Sequence, residues 1–259
     1  MGEAVGTAVI VGVGTAAGAV AITSGAAFNV AAVWAWTITA MIACLSHVCG
    51  AHFNPAISIA SKVLQPRSLS WRTVGLYCAS QTLGAGAGSL FTLSAFAAPI
   101  AALEASQGAL RAGFGGRRSA AILALFYPNP NALDYVILNG QGAPFPGMAA
   151  AAALEVAGTA LLAFVAFSLG HPRSKVTQGA KPLLIGLTVA SIITVLGPIT
   201  MAGLNPARDI GARVIAYFGG WGSMALPHNG IIGSIVVYTV APIVGAILGG
   251  KLAHRLGDE

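Results

Sequence analysis

His52-Phe-Asn-Pro-Ala-Ile-Ser-Ile-Ala60 and Gly203-Leu-Asn-Pro-Ala-Arg-Asp-Ile-Gly-Ala-Arg213 decide the fold of this chain. The polar tripeptide they share occurs at Asn54-Pro55-Ala56 and again at Asn205-Pro206-Ala207, 151 residues later. A second landmark keeps nearly the same distance: Glu3-Ala-Val-Gly6-Thr7-Ala8 returns as Glu155-Val-Ala-Gly158-Thr159-Ala160, 152 residues on. A lone Asn-Pro starts many turns and helices. Two unrelated landmarks repeating at one spacing mark an internal duplication instead. The expected organisation is one unit over 1–259, with a first repeat at 1–98, a long connector at 99–148 and a second repeat at 149–259.

Asparagine followed by proline suits the start of a helix, where Asn caps and Pro takes the first helical position. Mid-helix, proline would block continuation. The segments 56–62 and 207–216 are therefore expected as half-helices, preceded by non-helical backbone at Cys49–Phe53 and Gly197–Leu204. Non-helical backbone at membrane depth is tolerated only where protein or a water-filled cavity satisfies it. Paired half-spans at matching places in two halves point to a transport path at the repeat interface.

The surroundings are those of a membrane protein. The chain is 56% hydrophobic and 8% charged, with a mean hydropathy of +0.80, too little charge to clothe a soluble helical core. Spanning hydrocarbon takes about 20 helical residues. Six stretches qualify: 3–23, 29–50, 71–95, 149–170, 182–201 and 231–252. The 34 glycines, including the run Gly84-Ala-Gly-Ala-Gly88, supply surfaces for close helix packing in lipid. Residues 1–22 lack a basic leader and a cleavage site, so they are the first span and not a signal peptide. Glu3 stands almost at the start, which is compatible with a native N-terminal extension.

The net charge of +6 does not imply a nucleic-acid partner, because the basic residues lie in connectors and not on an aromatic-laced helix. Lys62, Arg67, Arg72, Arg173, Lys175, Lys181, Lys251 and Arg255 place their segments, and both termini, on the cytoplasmic side. Arg111, Arg117 and Arg118 fall in the opposite connector and follow that rule imperfectly. Cys44, Cys49 and Cys78 form neither a disulfide framework nor a metal spacing. No metal or cofactor is expected. No nucleophile, metal cluster or phosphate loop accompanies Glu3 and Glu155, so no enzyme is expected either.

These motifs resemble the two signature loops of the aquaporin (major intrinsic protein) family. The resemblance extends along the chain through Phe126-Tyr-Pro-Asn-Pro130, Lys181-Pro-Leu-Leu-Ile-Gly-Leu187, Gly197-Pro-Ile-Thr200 and Ala241-Pro-Ile-Val-Gly-Ala246. Asp209 directly after Arg208, and the long connector, resemble the glycerol-facilitator branch. The resemblance implies an all-α membrane protein: six transmembrane helices plus two re-entrant half-helices in an inverted two-fold repeat, assembled as a homotetramer in the lipid bilayer. It implies a passive channel for glycerol, other small neutral solutes and water. The alternatives are an ion-coupled secondary transporter, which also uses inverted repeats and broken helices, and a closed-pore structural membrane protein.

Site residues follow by position. The asparagines of the two Asn-Pro-Ala turns offer amide donors where two half-helix N-termini add positive partial charge. The family's narrow constriction maps to Trp34, Ile193, Ala202 and Arg208. Arg208 offers fixed donors and repels cations, while Trp34 walls the carbon face of a polyol. The Trp/Ile/Ala/Arg set resembles that of plant nodulin-like channels, and the absence of His at position 193 argues against strict water selectivity. Tyr238-Thr239 stands where glycerol facilitators tend to carry Pro-Leu. The resemblance further implies that Glu3 and Glu155 scaffold the loops, and that Gly50, Ala51, His52 and Phe53, with Thr200, Met201, Ala202 and Gly203, present a ladder of carbonyls to the pore. The His52 ring is expected to bond nearby, and Pro128 and Pro130 to shape a vestibule. His47 and His228 take no assigned role.

Overall fold

The computed structural model describes residues 1–25, 29–132 and 147–259. The first apolar stretch forms α1, Gly2–Ser24, ended by Gly25 at φ 63, a left-handed turn that glycine adopts without strain. Asn29 caps α2, Val30–Leu45, its Oδ1 accepting from Ala32 N at 3.0 Å. The half-helix α3 covers Pro55–Leu64, and α4, Trp71–Ala95, starts at the Ser70 cap. The connector opens with α5, Ala97–Ser106, bent 64° from α4, and continues to the single turn α6, Arg117–Ala120. The second half repeats the series with α7 (Met148–Gly170), α8 (Lys181–Thr200), α9 (Pro206–Ala216) and α10 (Gly230–Asp258). The described residues hold no strand.

Two helix pairs show how the duplication is built. Gly84 and Gly88 of α4 lie against the α1 backbone at Ala4 and Ala8. Gly245 and Gly249 of α10 lie against the α7 backbone at Val156 and Ala160, the equivalent two contacts, with the α7 partners 152 residues on from those of α1 and the glycines 161. Small residues let the backbones approach where lipid supplies no hydrophobic drive. A Cβ on Gly249 would fall 2.8 Å from Ala160 Cα, against backbone that cannot yield. Gly249→Val should therefore cost about 1–3 kcal/mol through overpacking. The check is a lower melting temperature and a smaller monodisperse peak in detergent. The outer surface carries the inverse of soluble patterning, with Leu83, Val195 and Trp36 at 74%, 67% and 67% exposure.

The structure departs from the expected boundaries in three places. The second span was expected over 29–50, but α2 stops at Leu45, because Ser46–Cys49 turns and feeds the re-entrant loop. Backbone up to Thr200 is helical, so the irregular segment expected at Gly197–Leu204 is confined to Met201–Leu204. Asn129 of the connector caps the last turn of this helix: its Nδ2 donates to Gly197 O at 3.0 Å and its N–H to Ile199 O at 3.2 Å. The connector expected over 99–148 begins as helix α5, and its stretch 133–146 lies outside the described residues.

Candidate functional site: two half-helices and the cavity between them

The half-helices α3 and α9 meet through a reciprocal pair of hydrogen bonds. Asn54 Nδ2 donates to Leu204 O at 2.9 Å, and Asn205 Nδ2 donates to Phe53 O at 2.8 Å. Each asparagine oxygen is already taken as a helix cap: Asn54 Oδ1 accepts from Ala56 N at 2.9 Å, and Asn205 Oδ1 from Ala207 N at 3.0 Å and Arg208 N at 3.3 Å. Those caps fix which way each amide points. What remains for the cavity on the nitrogen side is the second N–H of each Nδ2, so the junction of two helix N-termini gathers donors.

Buried carboxylates hold the loops that enter the half-helices. Glu3 accepts from His52 N at 3.0 Å and Phe53 N at 2.7 Å. Glu155 accepts from Gly203 N at 2.9 Å, Leu204 N at 2.8 Å and Thr200 Oγ1 at 2.6 Å. With two loop amides tied to each carboxylate, the backbone takes left-handed turns at Ala51 and Phe53 (φ 50 and 49), and again at Ala202 and Leu204 (φ 49 and 53). Such backbone is sparsely populated by residues with a side chain, and it persists where surrounding bonds over-determine it.

A continuous cavity of about 590 Å³ runs past both asparagines between the two ends of the bundle. Trp34, Ile193, Ala202 and Arg208 all line it, as do Gly50, Ala51, His52, Phe53, Met201 and Gly203. Thr200 does not: it is fully buried, its hydroxyl is spent on Glu155, and its carbonyl accepts from Tyr238 Oη at 2.9 Å. Leu204, left out of the expected ladder, lines the cavity instead. The Arg208 guanidinium lies 5.7 Å from the centre of the Trp34 ring, so the charged and apolar walls face the same opening. Its Nη1 donates to Leu123 O. The adjacent acid, Asp209, is occupied elsewhere, accepting from Arg213 and from Ser234 Oγ.

Several residues of the site escape sequence reasoning. Gln81 Nε2 bridges Glu3 at 2.8 Å and Ser58 Oγ at 3.1 Å, and Ser58 also meets His52 Nδ1 at 3.1 Å, which is where the His52 ring bonds. Arg213, 6% exposed, donates to Ala225 O and to Leu125 O. The connector thus places two carbonyls, those of Leu123 and Leu125, against the two buried arginines. It is anchored in turn by Glu104, which accepts from Arg111 and from Ser119 Oγ at 2.7 Å, while Trp221 Nε1 donates to Ser119 Oγ at 2.9 Å. A buried carboxylate in an apolar connector, as Glu104 is, was the available signal. Asn129 and Asn131 line the cavity beside Pro128 and Pro130.

Comparison with known proteins agrees with this geometry. The family model described as Major intrinsic protein matches residues 1–253. A glycerol uptake facilitator protein of Pseudomonas aeruginosa is 31% identical over 96% of this chain and 85% of its own length. That of Haemophilus influenzae is 29% identical over 98% of this chain and 92% of its own length. Among solved structures, the aquaglyceroporin from Plasmodium falciparum superposes with a TM-score of 0.77 at 20% identity, covering 99% of this chain and 96% of its own, which bears on fold alone. With the duplicated half-helices, four helices long and apolar enough to cross a membrane among the described residues, a fifth if the bent pair α4–α5 counts as one span, and a family model spanning nearly the whole sequence, the chain is a membrane-embedded member of the major intrinsic protein family.

Proposed function

We propose that this protein is a passive channel for glycerol and other small uncharged solutes, together with water, closed to protons and ions. The observation that carries the reading is the fixed pair of asparagine donors at the meeting of two helix N-termini. A hydroxyl or water accepts from both amides in turn, while a cation meets positive partial charge from both helix ends and a chain of waters is forced to reorient. Arg208 donates to solute hydroxyls and repels cations, and Trp34 packs the carbon face, both lining the one cavity that a small polyol would traverse.

In this reading Gly50, Ala51, His52 and Phe53, with Met201, Ala202 and Gly203, carry the carbonyl ladder, and Glu3 and Glu155 act as loop scaffolds without chemistry of their own. Residues 1–98 and 149–259 act as inverted repeats. Both termini lie in the cytoplasm, the active form is a homotetramer in the bilayer with one path per subunit, and no cofactor takes part. The glycerol assignment is supported by the glycerol uptake facilitators among the relatives.

Stopped-flow light scattering on reconstituted vesicles tests it. An inward glycerol gradient should produce re-swelling many times faster than in protein-free vesicles. Re-swelling at the protein-free rate, in vesicles whose protein is folded and correctly inserted, would remove the glycerol assignment.

A further inference from the structure

Gly14 leaves empty the space that the Trp34 indole occupies. It is a buried residue of α1 that lines the cavity, and a Cβ built on it would fall 2.2 Å from Trp34 Cε2, 2.3 Å from Cζ2 and 2.6 Å from Cδ2. Carbon atoms in contact rest about 3.5–4.0 Å apart, so the indole would have to withdraw by more than about 1 Å. The helix carrying Gly14 is not free to yield in its place. Thr15 Oγ1 meets Thr92 Oγ1 of α4 at 2.8 Å, and Thr92 also donates to Gly12 O at 3.0 Å, which ties α1 to α4 at this level. Away from α1 the indole meets the cavity and the Arg208 guanidinium, 5.7 Å from the ring centre.

The duplication ties this glycine to the indole. Gly6 and Gly158 recur in both halves and make room for the residue before each capping asparagine: a Cβ on them would fall 2.1 Å from Phe53 Cε1 and 2.9 Å from Leu204 Cδ2. Gly14 and Trp34 do not recur. At the repeat spacings of 152 and 151 stand Ala166 and Ile185, which line the same cavity. Alanine comes with the smaller side chain, and glycine with the larger.

We propose that Gly14 is a positioning residue for the outer ring of the path, the one formed by Trp34, Ile193, Ala202 and Arg208: having no side chain, it seats the indole against α1 and so sets how far the Trp34 ring stands from Arg208. The proposal rests on the channel reading and on solutes passing between those two side chains. A methyl at position 14 drives the ring toward Arg208 and takes up part of the gap. The loss then falls on solutes by their width, on a polyol more than on water.

The test measures water and glycerol permeability of Gly14→Ala vesicles against wild type, each normalised to inserted protein. Glycerol flux should fall roughly five-fold or more, with water permeability falling less than about two-fold. A damaged fold would lower both alike, so the water-to-glycerol ratio reads the opening and not the stability. In a Trp34→Ala background the same methyl has no indole to displace, and adding Gly14→Ala there should change either permeability by less than about two-fold. If Gly14→Ala alone fails to assemble, the double variant should assemble as Trp34→Ala does. With a wild type that passes glycerol, three results overturn the seat and leave the channel reading standing: an unmoved ratio in assembled Gly14→Ala protein, a methyl that costs as much glycerol flux without the indole as with it, or a double variant that fails to assemble where Trp34→Ala succeeds. A wild type that passes no glycerol overturns both.

Discussion

Glu155→Gln should destabilise the protein more than any other single change in the loops, by about 1–3 kcal/mol for each backbone donor left without its acceptor. The carboxylate takes Thr200 Oγ1 and Gly203 N on one oxygen and Leu204 N on the other. A glutamine amide keeps one oxygen and turns an NH₂ toward a donor, so one set of bonds is replaced by a donor facing a donor. The left-handed turns at Ala202 and Leu204 then lose the contacts that hold them. Scanning fluorimetry should show a melting temperature several degrees lower, with reduced flux per molecule and an unchanged order of solutes. Full stability combined with a reordered solute preference would contradict the scaffold role. Glu3→Gln should be milder, because Gln81 can rotate its amide to offer an oxygen where it now donates at 2.8 Å.

Arg208 and Trp34 separate charge exclusion from size exclusion at the outer ring. Arg208→Val removes the one cation on that wall among the described lining residues and leaves Leu123 O without its donor. Neutral-solute flux should hold or rise, and a proton or cation leak should appear, on the order of ten-fold above wild-type background. Trp34→Ala removes the ring that faces the guanidinium at 5.7 Å, so polyols longer than glycerol should enter while cations remain excluded. A pH-sensitive dye inside the vesicles reads the first change, and re-swelling in a series of polyols reads the second. If neither substitution alters permeability to any solute, the narrowest point is elsewhere.

The parts of this architecture that repeat were legible in the sequence. Both half-helices begin at the prolines their caps predicted, Pro55 and Pro206, and the span expected over 71–95 is α4 to the residue. Glu3 and Glu155 were found because they recur with Gly6 and Gly158 at one spacing. What was missed does not repeat. Tyr238 reaches Thr200 O and Gln81 reaches Ser58, single contacts across the fold with no motif to announce them. Leu123 and Leu125 matter through their carbonyls, and a backbone oxygen leaves no mark on residue type. The non-helical segment expected from Gly197 starts only after Thr200, and Asn129, a residue of the connector, caps that last turn through a contact no motif announced.

Passive conduction is the centre of this account, and the most direct test is glycerol flux into vesicles holding purified protein, measured across a range of glycerol concentrations with proton and sodium gradients imposed or collapsed by ionophores. A pore with fixed donors at Asn54 and Asn205 predicts flux proportional to the glycerol gradient, indifferent to both ion gradients and driving no ion movement of its own. Glycerol uptake that saturates and stops when the ion gradient is collapsed would contradict it, and would make the broken helices those of a coupled transporter.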